Sequence, residues 1–184
     1  MHDAASYAAC ERLRDGRPVE IRALQPDDEA SMLAAVERTS LESLQRRFFT
    51  AKRTFSESER AYFIDVDFRN HVALVARVDQ DGESAIIGGG RYIVLEPGRA
   101  EMAFVVVDAW QGKGVGSLLL RHLVNIARDA GLRELTAEVL PENTPMLKAF
   151  TKRGFKPVPH SDFRTVRLSL AIAAKQFPPR GATR

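Results

Sequence analysis

Cysteine is almost missing from this chain of 184 residues: Cys10 stands alone. That excludes a disulfide framework and a thiolate metal cluster. His2, His71, His122 and His160 have no metal-ligand spacing, so no metal is expected. No long apolar run occurs, and Met1-His2-Asp3-Ala4 lacks a basic stretch followed by an apolar core. Neither a membrane partner nor a secretory leader is therefore expected, and the expected location is cytoplasmic. Basic blocks and aromatic-basic interleaving are missing too, which argues against nucleic acid. The mild positive balance, +3 with a pI near 9.2, suits a polyanionic cofactor instead. No Gly-x-Ser-x-Gly elbow exists for a serine acyl-enzyme, and no internal repeat or interior linker breaks the chain.

What remains is a chain of ordinary globular composition, long enough to bury roughly 70% of its unfolded surface in one domain. Residues 1–17 read as a loose N-terminal arm, 18–172 as a single domain, and 173–184 as a tail with Pro178, Pro179 and Gly181 that is expected to be disordered. Val19 to Leu24 alternates as a first strand, and Pro26-Asp27-Asp28 starts a helical stretch broken near Thr39-Ser40. Ser56-Glu57-Ser58-Glu59 has the form of a capping box and opens a third helix. Val72 to Val78, Ser84 to Leu95 (loosened at Gly88-Gly89-Gly90) and Glu101 to Val107 read as three successive strands. A helix carrying Leu119, Leu120, Leu123 and Ala127 follows and ends at Gly131, then comes the strand Leu135 to Leu140. Thr144 before Pro145 reads as the N-cap of a short helix that Gly154 ends, and Phe163 to Ala171 as a last strand. The order predicts an α/β fold with a mixed sheet.

Between the strand Met102 to Val107 and the leucine-rich helix lies Gln111-Gly112-Lys113-Gly114-Val115-Gly116. A glycine loop there presents free backbone N–H groups at the positive end of a helix dipole, which suits a phosphate or pyrophosphate. Spacing removes two ligand families. Gly116 is followed by Ser117-Leu118 rather than Lys-Ser or Lys-Thr, so it is no Walker loop. Only Val115 separates Gly114 from Gly116, so it is no Rossmann fingerprint. A strand-to-helix turn without ligand, or a binder of another nucleotide phosphate, stays open on the loop alone.

Gln-x-x-Gly-x-Gly between strand and helix resembles the acetyl-CoA loop of the GNAT acetyltransferase superfamily. Asn143 to Phe155, in which Asn starts a helix and Gly-Phe follows it, resembles a second segment of that family, and the likeness spans Val19 to Ala171. It implies a mixed, mostly antiparallel sheet flanked by helices, with strands splayed at the acetyl-CoA site. It also implies that Gly112, Lys113, Gly114, Val115 and Gly116 with Ser117 and the motif's Gln111 cradle pyrophosphate. The main chain at Phe104, Val105 and Val106 would bind the pantetheine arm, and Asn143 would touch its thioester end. Lys113 and Arg121 can equally be solvated surface charges.

Transfer to an amine needs a base, because freeing a lysine lone pair at pH 7 costs about 3.4 pKa units, or ~4.6 kcal/mol. Glu101 is the acid inside the motif-bearing strand, where the family keeps its base; Asp108 reads as a turn residue. Many relatives place a tyrosine acid where this chain has Phe150. By the resemblance Phe150 still lies against the cofactor but cannot donate a proton, so CoA would leave as thiolate or take its proton elsewhere, with Tyr92 a candidate substitute. Arg46-Arg47-Phe48-Phe49, Tyr62-Phe63, Asp65-Val66-Asp67 before His71, and Asp108-Ala109-Trp110-Gln111 look like bacterial protein lysine acetyltransferases. That likeness implies a protein lysine acceptor, such as one on an acyl-CoA synthetase. A small amine, or a non-catalytic acyl-CoA sensor, are the alternatives. Cys10 lies in the expected arm, which disfavours a ping-pong route. Monomer and homodimer are equally compatible with the sequence.

Overall fold

Hydrophobic alternation and turn chemistry produce one sheet with helices on both faces in the computed structural model, which describes residues 3–48, 54–80, 82–159 and 162–173. A 3-10 turn at Ala4–Ser6 leads into β1 (Ala8–Arg12), which pairs antiparallel with β2 (Pro18–Ala23). The expected loose arm is thus a hairpin, and the sequence carried its signal: Asp15-Gly16, with Gly16 at φ +86°, is a hairpin turn pair. Helices α1 (Glu29–Glu37), α2 (Leu41–Phe48) and α3 (Glu57–Ile64) follow. The Ser56 hydroxyl accepts from Glu59 N–H while the Glu59 carboxylate accepts from Ser56 N–H, which completes the capping box.

Strands β3 (His71–Gln80), β4 (Glu83–Glu96) and β5 (Arg99–Val106) form an antiparallel meander; β6 (Glu134–Val139) runs parallel to β5, and β8 (Val166–Ala171) lies between β6 and β7 (Lys156–Pro157). Among the described residues the order is β1-β2-β3-β4-β5-β6-β8-β7, a mostly antiparallel sheet as expected. β3 is an interior strand, and its residues Val72 to Ala76 are buried on both faces, which explains their unbroken apolar run. On one face α4 (Val115–Asp129) buries Leu119, Leu120, Leu123 and Ala127 against β3, β4 and β5. On the other, α1 covers β4 and α2 lies over β5.

Three local expectations change. Gly88 to Gly90 do not loosen β4: they pair with β3 and β5 at once, and the irregularity sits beside them, where Ala76 pairs Gly88 but Arg77 pairs Ile86. Their bareness serves packing, since a Cβ on Gly90 would fall 2.6 Å from the Phe104 ring. The cap of α5 (Thr144–Lys152) is Asn143 rather than Thr144, its side chain accepting from Met146 N–H at 3.4 Å. The last strand starts at Val166; Phe163 is 95% exposed in the preceding turn. Lys175 to Arg184 lie outside the described residues, as does Asp81 of the β3–β4 turn.

Candidate functional site

The glycine loop takes its shape from two left-handed residues. Gly112 has φ +74° and Gly114 φ +98°, conformations that L side chains resist. Gly114 is the N-cap of α4 and no side chain caps that helix. The first helical bond runs from Leu118 N–H to Gly114 C=O (3.0 Å), so the N–H groups of Val115, Gly116 and Ser117 have no helical acceptor. Gly116 has ordinary helical geometry, and a Cβ there would meet no atom nearer than 3.8 Å. Glycine costs about 1 kcal/mol against alanine in a helix. No close contact explains that cost; the side chains such a Cβ would touch, Val106 and Met146, line a cleft together with Gly116.

That cleft, about 220 Å³, is lined by Phe104 to Val106, by Gln111, Gly112 and Gly114 to Ser117, and by Asn143 and Met146. Most of the residues expected at the site therefore meet. Two do not line it. Lys113 turns its ammonium onto the Trp110 ring (4.7 Å), which Arg17 also overlies at 4.6 Å. Phe150 is buried in the core, edge-on to Phe104 and Phe155 at 5.7 and 4.8 Å. The remaining phenol considered, Tyr92, is buried against the α4 layer, and burial pushes it up to about 12. It shares a face with its partner Met102, opposite to Glu101. Arg121 is engaged by Glu11 on β1, so its charge belongs to the hairpin.

A contributor missed in the sequence is Arg14, at the turn of the β1–β2 hairpin. Its N–H donates to Lys113 C=O (3.0 Å) and its guanidinium to Gly112 C=O (3.1 Å), and it lines the cleft. The Gln111 side chain donates to Ser43 Oγ (2.9 Å) and to Val106 C=O (3.1 Å), tying α2 and the end of β5 to the loop. Asp108 accepts from Ser40 N–H at 3.2 Å, the turn role expected of it.

The strands part where the cleft begins. β5 pairs β6 from Arg99–Glu134 to Met102–Ala137 and no further, while its ladder with β4 runs to Val106. Val107 N–H donates to Ile87 C=O (3.0 Å) on the β4 side. Alternation therefore turns the peptide groups of Val106 and Phe104 toward the gap. Asn143 donates its amide to nothing among the described residues and faces the same cleft.

Glu101 stands two residues before the gap, on the face of β5 turned to α2 and α3. It is half-buried, with no hydrogen bond or ion pair to its carboxylate among the described residues. Burial raises its pKa above the ordinary 4.5, Glu138 adds to the rise, and Arg167 and Arg47 oppose it. Glu138 is itself bonded to Arg167 (2.9 Å). Val105 lines both the cleft and a second cavity on the face of β5 that carries Glu101, although Glu101 itself lines neither. Such an arrangement can hold an extended anionic ligand on one side and a proton acceptor at its end.

The sequence profile of the Acetyltransferase (GNAT) family matches residues 38–155. Acetyltransferase PA5475 of Pseudomonas aeruginosa is 32% identical over 146 residues, covering 79% of this chain and 78% of that protein. Acetyltransferase Pat of Mycolicibacterium smegmatis is 29% identical over 145 residues, or 78% of this chain; the chain spans less than half of that relative, 43% of its length. The solved GNAT domain of S. lividans PAT superimposes with a TM-score of 0.82 at 34% identity, over 90% of this chain and 97% of that domain. Open loop, parted strands and matching relatives agree: this chain belongs to the GNAT family and is an N-acetyltransferase.

Proposed function

We propose that the chain transfers acetyl from acetyl-CoA directly to a primary amine, with a protein lysine as the favoured acceptor and Glu101 as general base. The observation that carries this is the position of Glu101: a half-buried carboxylate, without an ion pair among the described residues, two residues before the gap and on the face of β5 opposite the glycine loop. The free N–H groups of Val115, Gly116 and Ser117 and the guanidinium of Arg14 suit the pyrophosphate. The peptide groups of Phe104 and Val106 suit the amides of pantetheine as a strand would, and the Asn143 amide is free to donate to its thioester end. The bound thioester supplies the activated acetyl group and a thiolate leaving group. Glu101 accepts the ammonium proton, directly or through one water, as the amine attacks. With Phe150 and Tyr92 both buried and neither lining the cleft, the thiolate takes its proton from water. The protein acceptor is supported by the likeness of residues 46–49, 62–67 and 108–111 to protein lysine acetyltransferases and by the similarity to Pat.

The test is thiol release from acetyl-CoA over purified acyl-CoA synthetases and small amines, with Glu101→Gln beside the parent. Turnover is expected to fall at least ~10²-fold while calorimetric affinity for acetyl-CoA stays within about twofold. Near-normal turnover would remove Glu101 as base, and CoA binding without thiol release on any acceptor would make the chain a sensor.

A further inference from the structure

The layer of α1, α2 and α3 leaves a cavity of about 80 Å³ over Gly88 to Gly90, Ala103 and Val105. Its lining is aliphatic and aromatic apart from three arginines and Thr39. One of the three, Arg60, pairs with Glu29 at 3.6 Å. The other two behave differently. Arg47, on α2, lies 4.7 Å from the Phe48 ring centroid, and Arg91, on β4, lies 5.0 Å from that of Phe63. Arg91 also approaches His71 Nε2 (3.0 Å) and donates to Phe63 C=O (3.4 Å). Neither guanidinium meets a carboxylate within 4 Å among the described residues.

Other arginines of this chain that are at least partly buried meet acids: the buried Arg22 grips Asp28 through two bonds of 2.7 and 2.6 Å, and the half-buried Arg167 grips Glu138 at 2.9 Å. Arg47 and Arg91 instead line the same apolar cavity, and burial pulls both down to about 10, with Arg47 adding to the effect on Arg91. The groups around them do little to compensate. His71 is held neutral, its pKa lowered by burial and by Arg91; Tyr62 stacks on it at 5.4 Å. Glu101 attracts Arg47 without an ion pair. Arg91 pairs with Ala103, two residues from Glu101 on the same face of β5, which places the cavity beside the proposed base. Two guanidinium groups without a carboxylate partner in one apolar cavity favour a planar anion.

We propose that Arg47 and Arg91 form a carboxylate subsite for the acceptor, so that the enzyme selects amines presented together with a nearby carboxylate. The inference rests on the acetyl transfer proposed above and specifies its acceptor. The same chemistry has two sources: the carboxylate of a free amino acid, or an aspartate or glutamate beside the target lysine.

Matched acceptor pairs test it: free amino acids against their amides, and lysine peptides with glutamate against glutamine next to the lysine. Charge-assisted bonds of this kind predict a carboxylate preference of at least about 10-fold in kcat/KM for one of the two sets, and which set shows it identifies the source. Arg47→Gln and Arg91→Gln are each expected to shrink that ratio below about threefold; because the ratio is taken within one variant, a general loss of activity cancels. Acetylation by the parent with a ratio near one, or a ratio that survives both substitutions, overturns the subsite while leaving acetyl transfer standing. Should no acceptor be acetylated, N-acetylglutamate titrated calorimetrically into the parent and into Arg91→Gln decides: binding lost in the variant upholds the subsite, and no binding to the parent overturns it.

Discussion

Glu101 holds its proton more tightly than an exposed glutamate because burial disfavours its charge, Glu138 repels it, and Arg167 and Arg47 only partly compensate. Two outcomes follow at the scale of this residue. As a base it acts only when ionised, so the acid limb of kcat/KM is expected above pH 4.5, visible in a pH–rate profile and missing in Glu101→Gln. The linkage runs the other way for stability. A folded pKa raised above 4.5 means that the group favours the fold below that pH and loses this contribution as pH rises through the folded value. Glu101→Gln should therefore unfold at no lower urea concentration than the parent at pH 7. A lower midpoint would show that the carboxylate holds the fold together instead of serving the reaction.

The first turn of α4 and the hairpin that braces it form the next scale. Gly112 and Gly114 are constrained by their own backbone, but Gly116 is not, and a Cβ there would touch Val106 and Met146, both of which line the cleft. Gly116→Ala is expected to weaken acetyl-CoA binding at least about tenfold by calorimetry while the urea midpoint does not fall, because its Cβ would meet nothing closer than 3.8 Å. Equal losses of binding and stability would mean that Gly116 matters to the helix instead. The hairpin holds this turn from outside. Tyr7 and Glu11 bond His122, and Glu11 bonds Arg121, so β1 is fastened along α4. Its turn delivers Arg14 to the loop's carbonyls.

Across the whole molecule, the sheet separates a cleft on the α4 face from a cavity on the α1–α3 face, and Val105 of β5 lines both. Separate spaces on the two faces allow donor and acceptor to be bound at the same time. Cys10 is exposed on β1, at the sheet edge and four strands from β5, and its strand turns Glu11 rather than Cys10 toward α4. Initial-rate plots are expected to intersect, and Cys10→Ser to keep turnover within about twofold. Parallel lines, with loss of activity in Cys10→Ser, would instead indicate an acyl-cysteine route.

Local rules made the helices, the capping box and the glycine loop readable, because each depends on neighbours within a few residues. Gly112 and Gly114 are there for their φ angles, and the run Val72 to Ala76 is apolar because both faces of β3 are covered. The motif order was enough to place the chain in its family. Long-range contacts decided the rest. Nothing local in Arg14 says that a hairpin will carry it to a loop about a hundred residues later. Nothing in Lys113 or Phe150 says that one turns to Trp110 and the other enters the core. Arg47 and Arg91 look like solvated charges until α2 is laid over β5 and both are found without an acid. The sequence by itself determined the family and the loop, since these are written in spacing. Only the tertiary structure decided where the strands part and which charges are left unpaired, since both depend on surfaces that meet when the chain closes.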